Sequence, residues 1–470
     1  MTELGPLDTG FMEMEDTDRR ISLGIGTVAI LEGPAPSRIE LRGWVDRGLE
    51  RHARLRQRVR RAPWDVKAPV WEEDPNFDLN HHIRWTALPE PCGERELQEL
   101  IATELTERLD RDHPLWEVVV IDRLTEDRWA MILKAHHTMV DGISEITLLE
   151  SFCDPSAIDI DEHRGPTERQ PGTGLLRLLK EAIRAPVTIP RFAVGTVRTL
   201  APVLYAAIAP ASESSLNGPI GRQRRYTVAR TMLPQVREIA TAFDVTVNDV
   251  AVAAIAAAYR RLLLSRGEHP SPTELRIVVP VSTRTTEAEH VLDNRVSAMI
   301  THLPIEVDQP VERLMAVHEQ IRKHRSRGEA DAEKSMLSLS RRLPFGIVAE
   351  AFRLAVSFPQ RGVVALATNI PGPRHRLVLG GRNVLELWPC IPIAMRVRTT
   401  IAILSYLDRL TFGITGDYDT TPDIETMSSS IGTEVAVLLV HARDQQLSRR
   451  PQPVLSRAIG AATTRSRHAK

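Results

Sequence analysis

The sequence predicts a mixed α/β protein, with helices packed on mixed sheets in two α/β layers. Three observations predict this. Short apolar strand-like runs alternate with segments of helical periodicity along most of the 470 residues. Two pairs of strand-like runs, within 118–135 and 399–419, lie close enough in sequence to form hairpins, which a purely parallel doubly wound sheet would lack. A polar stretch rich in Pro and Gly at 154–174 divides the chain into halves of similar make-up. No repeat of fixed period is visible.

The elements follow in order. GIGTVA at 24–29 meets the loose dinucleotide glycine pattern but runs into the strand-like TVAILE instead of a helix, so it reads as the start of a strand. The apolar runs 118–121 and 129–135 flank the polar break DRLTEDR and form the first hairpin. Its second strand runs out into HHTMVDG at 136–142. ISEITLLESF then has apolar residues at helical spacing, with Asp141 as N-cap. Pro155, Gly165, Pro166, Pro171 and Gly172 mark a surface connection. The weakly charged 175–211, broken by Pro186, Pro190, Pro202 and Pro210, reads as an interdomain helical pair, with a face resting on a membrane or lipid droplet as the alternative.

In the second half NDVAVAAIAAAYRRLLL, 248–264, is an Ala-rich helix opened by Thr246 or Asn248. LRIVVPVS, DNRVSAMITHLPI and VVALATNIPGPR supply strands, and TTIAILSYLDRLTFGITGDYD a hairpin. From 443 to 470 seven basic residues face one acidic residue, Asp444, as in a flexible tail. The expected division is an N-terminal domain over 1–160, a linker or helical crossover over 161–215, a C-terminal domain over 216–443 and the basic tail over 444–470.

Composition excludes several classes. Lys plus Arg number 60 and Asp plus Glu 61, a net charge of −1, a balance that argues against general nucleic-acid binding, which wants a basic surface. Cys92, Cys153 and Cys390 are far apart, odd in number and in no metal or redox spacing, which suits a reducing cytoplasmic compartment. MTELGPLDTG reads as neither a secretory signal nor a transit peptide, and no apolar run reaches membrane-spanning length, so any membrane association is expected to be peripheral. There is no Gly-x-Ser-x-Gly elbow and no Walker-type phosphate loop.

The chemistry therefore concentrates in HHTMVDG. Histidine acts as a base near neutral pH without a large perturbation. Side chains alternate along a strand, so His136 and His137 are expected on opposite sides, one as base and the other as a structural group. Adjacent histidines facing opposite ways make poor metal co-ligands, and no zinc-ligand spacing accompanies them. No metal and no cofactor are expected.

The ordered motifs resemble the bacterial wax ester synthase/diacylglycerol O-acyltransferase family. HHTMVDG matches its HHxxxDG run. PLDTGFMEMED, WEEDPNFDLNHHI and LDRDHPLWE, the last with Pro114, Leu115 and Trp116, are similar to its N-terminal segments. VTVNDVAVAAI with Asn248 and Asp249, then VPVSTR, DNRVS, ATNIPGPR and LSYLDRLTFGITGDYD, follow in family order. Asp293 stands where many members have Gly and is expected to alter only a turn.

The resemblance implies two chloramphenicol acetyltransferase-like domains joined by a crossover and enclosing a channel to the histidine. It implies acyl-CoA as donor and a diacylglycerol or long-chain alcohol as acceptor, at the inner membrane face or a lipid droplet. It makes His137 the proton acceptor, with His136 in support. Asp141 becomes the anchor of the loop with Gly142, paired to Arg56 or alternatively Arg58 of RHARLRQRV, which resembles the arginine-bearing run of condensation domains. Asn248 and Asp249 read either as helix caps or as site support, and Pro114, Leu115 and Trp116 as packing or substrate contact. Two alternatives stay open: a condensation-type acyltransferase of the same superfamily, and a non-catalytic homologue that binds lipid or acyl-CoA.

Overall fold

The computed structural model describes residues 2–61, 68–155, 214–272, 275–282, 296–326 and 363–449. The first half runs β1 (Thr2–Glu3), α1 (Pro6–Thr17), β2 (Gly24–Glu32), α2 (Arg38–Arg51), β3 (Gln57–Arg60), β4 (Val70–Glu73), β5 (Ile83–Thr86), α3 (Glu94–Glu104), β6 (Trp116–Leu124), β7 (Arg128–His136) and α4 (Gly142–Phe152). The second runs β8 (Arg224–Met232), α5 (Leu233–Phe243), α6 (Val247–Ser265), β9 (Arg276–Ser282), β10 (Val296–His302), α7 (Pro310–Ser326), β11 (Ala365–Ile370), β12 (Val378–Leu379), β13 (Arg382–Cys390), β14 (Thr399–Tyr406), β15 (Arg409–Asp417) and α8 (Glu425–Arg449). Both expected hairpins form: β6 pairs antiparallel with β7, and β14 with β15.

Two six-stranded mixed sheets result, in the orders β12-β13-β2-β7-β6-β5 and β10-β9-β11-β14-β15-β8, beside a small sheet β1-β4-β3. Strand β7 is apolar without alternation because both of its faces are covered. On one face Met131, Leu133 and Ala135 join a core with Leu148 and Leu149 of α4 and Leu41 and Val45 of α2. On the other, Ala130 and Ile132 pack with Leu97 and Ile101 of α3 and with Tyr226 and Val228 of β8.

The second half gathers its core around α6. Its alanines are buried on nearly every side, so neighbouring elements can approach closely. Thr246 is the N-cap, in a reciprocal capping box with Asp249, which decides between the two expected caps. The Tyr259 hydroxyl meets that of Thr399 on β14 at 2.8 Å.

One expected boundary is corrected. Strands β12 and β13 lie within 216–443 yet belong to the first sheet, where β13 pairs antiparallel with β2 from Val384↔Leu31 to Cys390↔Gly26. Without β13, β2 would present an unpaired edge. The halves therefore interlock. Where β13 passes the second sheet a Cβ on Gly413 would lie 1.8 Å from the Pro389 carbonyl oxygen, so only glycine fits.

The basic tail begins inside an element, since residues 444–449 are the last turns of α8. Residues 161–213 of the crossover expected over 161–215, the turn at Asp293 and residues 450–470 lie outside the described residues.

Candidate active site

Strand β7 delivers the motif to the edge of the molecule's interior. Its last residue, His136, donates its backbone N–H to the Leu115 carbonyl at 2.9 Å. The chain then turns: Met139 N–H returns to the His136 carbonyl at 2.8 Å, while His137 N–H donates to the Leu23 carbonyl at 2.9 Å. Strand alternation ends at His136, so His137 is not forced to the opposite side. This corrects the expectation that the two rings diverge: both contact α1.

Helix α1 is the element that sequence reading left without a role. Pro6 opens it at a first-turn position that suits proline. Asp8, Phe11 and Glu15, at i, i+3 and i+7, share one face. That face meets Thr138, His137 and His136 in turn. The Thr138 hydroxyl donates to the Asp8 carbonyl at 3.1 Å. Phe11 stacks on the His137 ring with centroids 4.4 Å apart and planes at 29°. The Glu15 carboxylate stands 3.6 Å from Nε2 of His136.

Three arginines fasten α1. Arg111 contacts Glu15 at 2.5 Å and also Asp16, Arg61 reaches Glu13 at 3.0 Å, and Arg108 donates to the carbonyls of Glu15, Asp18 and Ile21. The i, i+3, i+7 spacing and the clustered acids of FMEMED were the available signal.

The two histidines sit in different environments. His136 is buried, and its Nδ1 accepts the Thr138 N–H at 3.1 Å, which leaves Nε2 to carry the ring proton. His137 is half-buried, and desolvation pushes its imidazole below the ordinary histidine value, against the opposing charge of Asp141. A depressed imidazole is unprotonated at neutral pH, as a base must be. Burial alone would raise the Glu15 carboxyl, but His136, the Leu23 N–H and Arg111 together hold it down at about 2.

Asp141 is buried and accepts the Ser144 N–H at 2.8 Å, so it caps α4 as expected. The bridge to Arg56 is corrected. Arg56 is exposed at the end of a 3-10 turn, its guanidinium 5.1 Å above the Phe77 ring, and the alternative Arg58 pairs with Glu72 at 3.2 Å. Neither guanidinium contacts Asp141. Beyond the motif, Glu145 is buried beside Thr27 and Asp141, and burial raises its carboxyl well above the ordinary range.

Gly142 is where the halves touch at this site. A Cβ there would lie 2.8 Å from Cδ1 of Ile370, the last residue of β11. The adjoining Asn369 donates to Asn248 Oδ1 at 3.0 Å. Asn248 thus belongs to the second half's side of the site, whereas Asp249 closes the α6 cap and meets His318 Nδ1 at 2.8 Å.

The block at Pro114, Leu115 and Trp116 supports the strand ends. Leu115 holds His136 through its carbonyl, and buried Trp116 donates from Nε1 to the Leu55 carbonyl at 2.8 Å while stacking on His82 at 4.5 Å. Among the described residues no cluster of three or more His, Cys, Asp or Glu is arranged to hold a metal ion.

A histidine pair ending a strand, a capped helix behind it and a second sheet approaching its glycine are thus gathered at one site. The catalytic-domain model of the wax ester synthase/diacylglycerol acyltransferase family matches residues 4–251, and the family's C-terminal-domain model matches residues 292–438. The chain belongs to this family. Among its relatives is a protein described as a probable diacylglycerol O-acyltransferase, tgs1, of Mycobacterium tuberculosis, 41% identical over 456 residues that cover 96% of this chain and 98% of that one. The O-acyltransferase WSD of Acinetobacter baylyi is 27% identical over 385 residues, covering 78% and 82%.

Among solved structures the wax ester synthase/diacylglycerol acyltransferase of Marinobacter aquaeolei VT8 aligns with a TM-score of 0.66 at 26% identity, over 94% of this chain and all of that one. A starter condensation domain of rhizomide synthetase, solved with C8-CoA, aligns at 0.58 and 14% identity over 94% and 95%, a likeness of fold alone. The fold of this wax ester synthase/diacylglycerol acyltransferase family member is therefore the chloramphenicol acetyltransferase-like one, with β13 supplied across the halves.

Proposed function

We propose that this chain is an acyl-CoA-dependent O-acyltransferase that esterifies diacylglycerol to triacylglycerol, accepts long-chain alcohols to form wax esters, and uses His137 as general base. One observation carries the assignment of the base. His137 is half-buried, has its imidazole depressed by desolvation, and is held between Phe11 and the turn that ends β7.

The chemistry follows from that placement. An acceptor hydroxyl is a weak nucleophile, so His137 removes its proton as the oxygen attacks the thioester carbonyl. The tetrahedral intermediate collapses, the C–S bond breaks and the CoA thiolate leaves, taking its proton from the imidazolium. No covalent acyl-enzyme is needed. Water would compete as acceptor, and Phe11 beside the imidazole removes one route to it. Long acyl chains bind through apolar burial, at about 0.8 kcal/mol per methylene. No cofactor enters this scheme.

The substrates are mostly lipid, which favours a peripheral site of action at the inner membrane face or a droplet surface. No single helix among the described residues is long and apolar enough to cross a membrane. Co-flotation of the protein with anionic, diolein-containing vesicles tests this part, and a protein that stays at the bottom of the gradient would refute it.

The activity is tested with purified protein, labelled palmitoyl-CoA and either diolein or hexadecanol, with and without chelator, beside His137→Ala. Ester from the wild type alone, unaffected by chelator, is the expected result. Equal ester from the variant, or free CoA released faster than ester forms, would overturn it.

A further inference from the structure

The Glu15 carboxylate is 1% exposed, and its contacts converge on the histidine turn. Its Oε1 accepts the Leu23 N–H at 2.9 Å, and the Leu23 carbonyl in turn accepts the His137 N–H at 2.9 Å. Its Oε2 faces Nε2 of His136, the nitrogen left to carry the proton because Nδ1 accepts from Thr138. One carboxylate thus holds the backbone on which His137 hangs and places a negative charge 3.6 Å from its neighbour's Nε2, which favours the proton there.

We propose that Glu15 is a positioning residue for acyl transfer: by accepting the Leu23 N–H and setting its negative charge 3.6 Å from His136 Nε2 it holds the His136–Thr138 turn and so aims the His137 imidazole. The inference rests on His137 being the base. Phe11, one helical turn earlier on α1, sets the plane of the same ring. A carboxylate serves here because it offers acceptors only. A glutamine of the same shape turns its amide protons either on the Leu23 N–H or on Arg111 and His136, donor against donor. His136 can relieve that conflict only by moving its proton to Nδ1, where it meets the Thr138 N–H.

Anchoring by Arg111 alone would give Glu15 a purely structural role. The two roles separate in kinetics and in spectroscopy. For Glu15→Gln the expected result is kcat lowered about tenfold or more at nearly unchanged KM, since a small misplacement costs rate more than binding. Histidine-selective nitrogen-15 NMR, assigned with His136→Asn, should show the Nε2–H tautomer for His136 in the wild type and a loss of that signature in Glu15→Gln. In the His136→Asn background Glu15→Gln should cost little more.

Wild-type kcat in Glu15→Gln, additive losses in the double variant, or an Nδ1–H tautomer in the wild type would each overturn the proposal. The last measurement needs no variant at Glu15 to fold. His137→Ala, assayed in parallel, keeps the two readings apart. Activity retained there refutes the base. Activity lost there, with Glu15→Gln at wild-type kcat, refutes only the positioning role.

Discussion

Gly142 and Ile370 meet where helix α4 of the first half faces strand β11 of the second, and a Cβ on the glycine would stand 2.8 Å from Cδ1 and 2.9 Å from Cγ1 of the isoleucine. The motif's glycine is thus a point of close approach between halves, with no turn demanding a positive φ. Cδ1 can swing aside, but Cγ1 lies close to the backbone and cannot move far. Gly142→Ala should destabilise by about 1 kcal/mol and Gly142→Val by about 1–3 kcal/mol, the range for overpacking. Ile370 is itself a core residue whose truncation costs about 2–5 kcal/mol, so in an Ile370→Ala background Gly142→Ala should cost little more. Additive losses in the double variant would mean that this contact is not the constraint.

The place of Arg56 gives a second prediction. Asp141 caps α4, while Arg56 is exposed over Phe77. Arg56→Ala should change stability within about 0.5 kcal/mol, as exposed substitutions do. Asp141→Ala should cost at least the roughly 1 kcal/mol of a lost N-cap, and Asp141→Asn less, because asparagine caps about as well. Urea unfolding of the three variants ranks them, and a strongly destabilised Arg56→Ala would restore the bridge that the resemblance implied.

Much of this was legible in the chain. Periodicity marked the hairpins of β6 with β7 and β14 with β15, and the cap at Asp141, because those features are local. The swap of β13 was not legible, since pairing with β2 joins residues more than 350 positions apart and leaves no periodic trace. The face of α1 that holds the histidines was half legible. Asp8, Phe11 and Glu15 have helical spacing, but only the fold brings them to a turn more than 120 residues later. Arg56 was misplaced because a neighbouring family's pairing was carried onto a segment that here ends in an exposed turn.

Buried Glu145 carries a pH signature of its own. Its folded-state pKa is raised well above the ordinary glutamate value of 4.5, first by burial and further by the charge of Asp141. The folded protein therefore binds more protons than the unfolded chain once the pH passes the unfolded value. Stability from this group is fully present below about pH 4.5 and declines as the pH rises towards the folded pKa. Glu145→Gln removes the titration while keeping the shape. It should melt higher than the wild type at neutral pH, with the difference shrinking as the pH falls towards 4.5. Parallel melting curves against pH would refute a raised Glu145 carboxyl.

His137 shifts the other way, and its effect appears in the rate. Desolvation lowers its folded pKa, the opposing Asp141 charge notwithstanding, so the base form persists below the usual histidine midpoint of 6.5. The acid limb of kcat/KM should therefore fall with a midpoint below 6.5, where free histidine would already be half protonated. Stability changes in the same window with a definite sign. Between the folded and unfolded values the unfolded chain binds the extra proton, so stability from this group is present above pH 6.5 and is lost as the pH falls towards the folded value. Phe11→Ala opens the stacked face of the ring to water, which relieves the desolvation. The acid midpoint should then move up towards 6.5 while kcat falls. An acid limb at or above 6.5 in the wild type, or one unmoved in Phe11→Ala, would show that burial of the imidazole does not set the protonation of the base.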